Sequence, residues 1–197
     1  MKFVFDQPAL VLGRSLIVAD VHVGVEFELQ KKGVHLQSRH VETAARINKL
    51  LKETKCDALY ILGDAKHDFY GAKDQEIRIL TNFFDAIKGK VVVVKGNHDS
   101  EIEKIKNVEV VEPTGLILKS GGKKFLLTHG QASLKKEEFE SADWVLMGHF
   151  HPMIEVTEGE GFVWREKSWI VGRFLNEKEK QFVVFPAFND LSGGMAF

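Results

Sequence analysis

A single cysteine, Cys56, among 197 residues excludes an intramolecular disulfide framework and any zinc site built from four cysteines of one chain. Cys56 lies just before an apolar run and reads as a small core residue. No stretch approaches the ~20 consecutive apolar residues that a membrane-spanning helix needs. The opening MKFVFDQPALVLGRSLIVAD has apolar pieces, but Asp6, Pro8, Gly13 and Arg14 break them and no cleavage site follows. The expectation is a cytoplasmic protein without a signal peptide or membrane contact. There is no Pro/Gly/Ser-rich linker and no internal repeat, so the chain reads as a single domain over 1–197. An excess of either charge sign is also missing. The balance of 27 Lys+Arg against 28 Asp+Glu excludes a generally polybasic protein, though not a local basic patch. With 44% hydrophobic residues the chain can bury a core without help from disulfides or metals.

What is present is a short apolar run followed at once by polar residues, five times over. Ser15 to Ala19 leads into Asp20, Ala58 to Leu62 into Gly63 and Asp64, and Val91 to Val94 into KGNHD. Phe125 to Leu127 leads into Thr128 and His129, and Trp144 to Met147 into GHFH. Runs this short, several rich in Val and Ile, predict buried strands. Helical periodicity separates several of them. His40 to Glu53 carries Val41, Ala44, Ala45, Ile47, Leu50 and Leu51 on one stripe. Asp74 to Ile87 carries Ile77, Leu80, Phe83, Phe84 and Ile87, with Asp74 as N-cap or first-turn acid and Gly89 as the stop. Lys135 to Ser141 predicts a shorter helix. Alternating strand and helix implies an α/β layered fold, in which ligands bind where the C-terminal ends of the strands converge. Phe162 to Phe174 and Gln181 to Phe185 predict antiparallel strands, joined through Asn176 to Lys180, so residues 152–197 are expected to complete a second sheet.

Six of the eight histidines, His22, His67, His98, His129, His149 and His151, lie at or just beyond these strand ends. Any one of them alone reads as an ordinary loop residue, and Asp20 or Asp64 alone as an Asx-turn or cap. Together they predict a two-metal site, because borderline metals take mixed imidazole and carboxylate ligands. Asp20 and His22 can reach one ion across a sharp turn. Asp64 is the natural bridge, His149 and His151 can face different ions, and Asn97 and His129 complete the set. Two ions so held are expected, manganese first, with Fe, Zn, Co or Ni as alternatives that share these ligands.

The blocks DVH (20–22), GDAKH (63–67), GNHD (96–99), THG (128–130) and GHFH (148–151) together resemble the calcineurin-like metallophosphoesterase superfamily. All five occur in order, each after an expected strand. The resemblance implies an α/β fold built as a two-sheet β-sandwich flanked by helices, a four-layer αββα arrangement. It implies one metal on Asp20, His22, Asp64 and His151, and another on Asp64, Asn97, His129 and His149. A metal-bridging hydroxide would then attack phosphorus. His98 would contact the phosphate and act as general acid, a task suited to an imidazole. Protein Ser/Thr phosphatases of this superfamily follow the second motif with Asp and Arg; here those positions are His67 and Asp68, so no bidentate arginine clamp is available there. GDxxH with GNHD is similar instead to the phosphodiesterase and nuclease branch, including SbcD-type nucleases, which implies that His67 helps position the phosphate. The alternative for His67 is a hydrogen bond to a metal ligand. Gly63 to Phe69 and the closing PAFNDLSGG look like compact DNA-ligase-associated members of the superfamily.

The expected substrate is a phosphodiester, in a nucleotide or single-stranded nucleic acid. Arg165, Lys167 and Arg173 lie among Trp164, Trp169 and Phe174, a mix able to contact phosphate and stack a base, although the same aromatics could pack between sheets. Gly24 to His40 is long for a connection and is expected to form a rim of the site. A broad phosphomonoesterase is the second enzyme reading, and a non-catalytic metal-bearing scaffold the third. Every ligand position is filled, which argues against the scaffold. Exposed aromatic strands leave room for a homodimer.

Overall fold

The computed structural model describes residues 1–67, 73–175, 177 and 179–197. Asp68 and Phe69, and Asn176 and Lys178 of the expected connection, lie outside the described residues. The chain opens with strands β1 (Lys2–Phe3), β2 (Leu10–Leu12) and β3 (Ser15–Val18), then helices α1 (Val25–Lys31) and α2 (His40–Thr54). It continues through β4 (Ala58–Leu62), α3 (Lys73–Asp85), β5 (Lys90–Val94) and β6 (Glu109–Val111). These six strands form one sheet in sequence order, and β3, β4, β5 and β6 run parallel. Next come β7 (Leu116–Ser120), β8 (Lys123–Thr128), α4 (Lys136–Ser141) and β9 (Trp144–Met147). After β10 (Pro152–Glu158) and β11 (Phe162–Lys167), β12 (Ile170–Arg173) and β13 (Gln181–Val184) return to a second sheet of order β12-β13-β9-β8-β7. The short β14 (Met195–Ala196) closes the chain.

The alternation of side chains along each strand sorts the apolar residues into layers. Leu16, Val18, Leu59, Ile61, Val91 and Val93 face one way, and pack with Ala44, Ile47, Leu50 and Leu51 of α2 and Leu80, Phe83 and Phe84 of α3. Ile17, Ala19, Leu62 and Val94 face the other way and meet Phe125, Leu127, Leu146, Val183 and Phe185 of the second sheet. The outer face of that sheet, with Leu126 and Val145, is covered by Phe139 of α4 together with Phe174 and Phe182. Helices, sheet, sheet and helix are therefore stacked in that order. Strands buried on both faces need apolar residues at every position, which is why they appear in the sequence as uninterrupted runs.

One expectation is corrected. Phe162 to Phe174 is not one run completing the second sheet. It splits at Ser168 and Trp169. The second part, β12, pairs antiparallel with β13 as expected, but the first, β11, pairs with β10 in a separate three-stranded sheet that also holds β14. The crossing is held where the Ser168 N–H donates to the Pro152 carbonyl and the Trp169 ring packs on Phe185 and Phe3. The strand β10 (PMIEVTE) was not expected. Most of it is exposed, so no buried face imposes an apolar alternation on it.

Leu127 is fully buried between the two sheets. Leu127→Ala is expected to lower stability by about 2–5 kcal/mol in urea denaturation. A loss below about 1 kcal/mol would mean that this layer is not closely packed.

Candidate metal centre

Each of the five polar blocks follows a strand of the inner sheets: DVH follows β3, GDAKH β4, GNHD β5, THG β8 and GHFH β9. The ends of β3, β4 and β5 lie side by side in one sheet and those of β8 and β9 in the other, so the sandwich brings all five blocks together.

All seven expected ligands meet there. Donor atoms of Asp20, His22 and His151 lie within 4.8 Å of one another, as do those of Asp20, Asp64 and His129. His151 Nε2 is 3.1 Å from Asp20 Oδ1 and 3.3 Å from His22 Nε2. His22 Nε2 is 3.8 Å from Asp64 Oδ2. On the other side of Asp64, the same Oδ2 is 3.2 Å from His129 Nε2. That nitrogen is also 3.2 Å from Asn97 Oδ1 and 3.2 Å from His149 Nδ1. Asp64 thus faces both groups, as a bridge must. Ligands about 2.1 Å from a shared ion lie ~3.0–3.4 Å from each other in octahedral or tetrahedral arrangements, and most of these separations fall in that range. The donor set and its spacing fit two borderline divalent ions.

Hydrogen bonds on the far side of the imidazoles set which nitrogen is free to bind. His129 Nδ1 lies 2.8 Å from the Leu62 carbonyl and His151 Nδ1 2.9 Å from the Gly193 carbonyl. A carbonyl only accepts, so both protons sit on Nδ1 and both Nε2 lone pairs point inward. His22 is oriented through a longer chain. His67 Nε2 is 2.5 Å from Glu28 Oε2, and His67 Nδ1 is 3.3 Å from His22 Nδ1. His67 thus links the Glu28 carboxylate to His22 and fixes the orientation of the His22 ring, whose Nε2 faces the other donors.

The backbone is shaped for this convergence. Five non-glycine residues of the site have left-handed backbones: Asp20 (φ 55), His22 (φ 44), Asp64 (φ 48), His149 (φ 72) and His151 (φ 42). Each costs roughly 1–2 kcal/mol relative to ordinary geometry. Only three other non-glycine residues, Asp6, Lys55 and Glu101, share it among the described residues. Strain gathered on one set of ligands marks a functional site. Two motif glycines serve the same approach. A Cβ on Gly148 would lie 2.5 Å from Asp20 Oδ2, and one on Gly96 2.2 Å from Asp64 Oδ1.

Asp20 and His129 are fully buried, and Asp64 and His22 nearly so. Burial opposes a charge on Asp64, but His129 and the His98 N–H (2.9 Å to Oδ1) outweigh it and hold its pKa at about 2. Burial pushes His22 down to about 3 despite the pull of Asp64. Burial also disfavours charge on His129 and His151, yet Asp64 and Asp20 overcome it and both pKa values are raised. Asp99 is not a ligand candidate. It is fully buried and joins two blocks by accepting from the Lys66 N–H (3.1 Å) and the Gly96 N–H (2.8 Å). Burial raises it to about 6.

His98 is half-buried at the edge of the constellation, its ring stacked on His67 at 5.3 Å and its Nε2 4.0 Å from Asp64 Oδ2. His67 spends both ring nitrogens on Glu28 and His22, which is the arrangement of a residue that orients a ligand. Two of the three basic residues expected to bind substrate make other contacts. Arg165 pairs with Glu155 across the β10–β11 hairpin. Lys167 donates to the carbonyls of Ala187 and Asn189. Arg173 is exposed at the end of β12. Glu28 and the Gly193 carbonyl were not anticipated. The length of the 24–40 connection was the one hint of Glu28, and that connection does deliver it to the site.

Comparison with known proteins agrees with this geometry. The family model for the calcineurin-like phosphoesterase superfamily domain matches residues 14–171. No curated protein matches the sequence. The solved structure of nuclease MPE from Pseudomonas putida is similar at 26% identity and a TM-score of 0.63, covering 93% of this chain and 79% of that one. The phosphoesterase Yfce from E. coli is 16% identical with a TM-score of 0.47, covering 91% and 83%.

His129 and His151 keep protons above the ordinary value of 6.5, so protons compete with metal as the pH falls through their raised pKa values. Affinity for Mn2+ is expected to fall as the pH is lowered through that window, with net proton release on binding. Calorimetric titrations in buffers of different ionisation enthalpy measure both. A pH-independent affinity without proton release would contradict the assignment.

Proposed function

Because the chain belongs to the calcineurin-like phosphoesterase superfamily and is thus a metal-dependent phosphoesterase, we propose that it is a phosphodiesterase acting on nucleotides or single-stranded nucleic acid. The observation that carries this reading is the composition of the site. Beside the ligands stand two further imidazoles, His67 and His98, and the position of the phosphatase-type arginine is taken by Asp68. A doubly charged monoester phosphate favours an added guanidinium fork. A singly charged diester needs less positive charge and gains more from a proton delivered to its leaving oxygen. The likeness to a protein described as a nuclease supports the same choice.

Asp20, His22, Asp64 and His151 would hold one ion, and Asp64, Asn97, His129 and His149 the other, with manganese the first to test. Bound there, two divalent ions would supply Lewis-acid stabilisation of the phosphoryl charge and make water acidic enough to serve as a nucleophile near neutral pH. The chain's own residues do the rest. Asp64 sets the spacing between the two ligand groups. The Leu62 and Gly193 carbonyls hold the Nδ1 protons of His129 and His151 and aim their Nε2 atoms inward, and the Glu28–His67 pair orients His22. His98 holds a proton for the departing oxygen, its backbone N–H tying it to Asp64.

His98→Ala is expected to keep metal binding and to lower hydrolysis of a bis-nitrophenyl phosphate by ~10²-fold or more. Unchanged turnover would remove His98 from the reaction. A panel with manganese, comparing that diester, mononitrophenyl phosphate, 2′,3′-cyclic nucleotides and single-stranded oligonucleotides, tests the substrate class. Far faster turnover of the monoester would replace this reading with a phosphomonoesterase.

A further inference from the structure

The family model ends at residue 171, yet the segment 188–195 touches every protein ligand of one ion except the bridging Asp64. The turn 19–22 carries Asp20 and His22 beyond β3 in left-handed conformations; their N–H groups pair with the Gly63 and Asp64 carbonyls and the His22 carbonyl accepts from Val25, while the carbonyls of the turn also face the C-terminal segment. Four successive carbonyls of this turn are met by the C-terminal segment. The Phe188 N–H donates to Ala19 (2.8 Å) and the Asn189 N–H to Asp20 (3.2 Å). The Asn189 side-chain amide donates to Val21 (2.8 Å) and His22 (3.2 Å). The third ligand, His151, gives its Nδ1 proton to the Gly193 carbonyl, and the Met195 N–H donates back to the His151 carbonyl (3.2 Å). The approach is so close that a Cβ on Gly194 would lie 1.9 Å from the His151 carbonyl oxygen.

The segment is itself anchored. Lys167 Nζ donates to the carbonyls of Ala187 (2.8 Å) and Asn189 (2.6 Å). Arg46 donates to the Phe188 carbonyl (3.2 Å) and lies 4.3 Å from the centre of its ring. Asn189 Oδ1 accepts from the Leu191 N–H (2.8 Å), which orients the amide so that its NH2 faces the turn. The ligands particular to the other ion are held differently. His129 is oriented by Leu62, and Asn97 and His149 meet their neighbours within the site.

We propose that the C-terminal segment 188–195 is a strap that positions one of the two metal sites, the one formed by Asp20, His22 and His151, and that Asn189 is its principal positioning residue. The proposal rests on the dinuclear reading given above. Loss of such supporting contacts typically lowers metal affinity by about 10–100-fold. Here the loss is confined to one ion.

The test is Mn2+ titration of the full chain, followed by calorimetry for stoichiometry and by electron paramagnetic resonance for coupling between ions, with circular dichroism and thermal melting to check folding. Wild type is expected to take up two ions with a spin-coupled signal. Fewer than two would overturn the dinuclear reading itself. Asn189→Ala is expected to retain one ion at near wild-type affinity and to bind the second about 10–100-fold more weakly, giving an uncoupled signal at Mn2+ levels that saturate wild type. Gly194→Ala, which pushes the strap away from His151, is expected to do the same and decides the matter if Asn189→Ala does not fold. Two ions bound with wild-type affinities in a folded variant, or both weakened equally, would overturn the strap while leaving the dinuclear reading intact.

Discussion

Four imidazoles, an amide and two buried carboxylates, linked by neighbouring separations of 3.1–3.8 Å, are the constraint on which the rest of the structure depends. Nothing in ordinary core packing favours this. Buried charges are costly unless compensated, and nitrogen lone pairs turned toward each other repel. A pair of cations between them reverses both terms at once. The sandwich supplies the frame: β3, β4 and β5 in one sheet and β8 and β9 in the other end at the same place, and the two sheets are locked by the layer around Leu127 and Leu146. The left-handed residues at those ends turn side chains inward that a regular strand would send elsewhere.

The ligands were readable because each sits within a few residues of an uninterrupted apolar run. A strand buried on both faces advertises itself in one dimension, and the polar residues after it are marked by position alone. The central placement of Asp64 between the two donor groups was likewise readable, since it follows β4, the middle of the three parallel strands β3, β4 and β5. The layered α/β class followed from the same periodicity, and the stack of helices, sheet, sheet and helix from the family resemblance. What was not readable involves partners far apart in sequence or without side-chain identity. The Leu62 and Gly193 carbonyls carry no residue signal at all. Glu28 lay in a connection read only as a rim, with nothing to mark it among the other polar residues there. Lys167 has the charge of a phosphate binder, but it holds two backbone carbonyls of the C-terminal segment. The β10–β11 hairpin escaped because its largely exposed faces put little constraint on composition.

The two halves of the centre are built unequally. One half is braced from within the inner sheets, through Leu62 at the end of β4. The other depends on a turn whose N–H groups pair with Gly63 and Asp64 but whose carbonyls turn to the C-terminal segment, and on a histidine that follows β9 and meets the same segment. Glu28 and His67 add a second brace to the same half from α1. The half with the more open backbone has thus drawn more supporting hydrogen bonds, as the near-complete pairing of buried backbone groups demands.

Diffraction from Mn2+-soaked crystals, with the metal located by anomalous scattering, tests the central arrangement most directly. Two peaks about 3.5–4 Å apart are expected, with Asp64 contacting both. Peaks elsewhere, or a lone peak with Asp64 turned away, would contradict it.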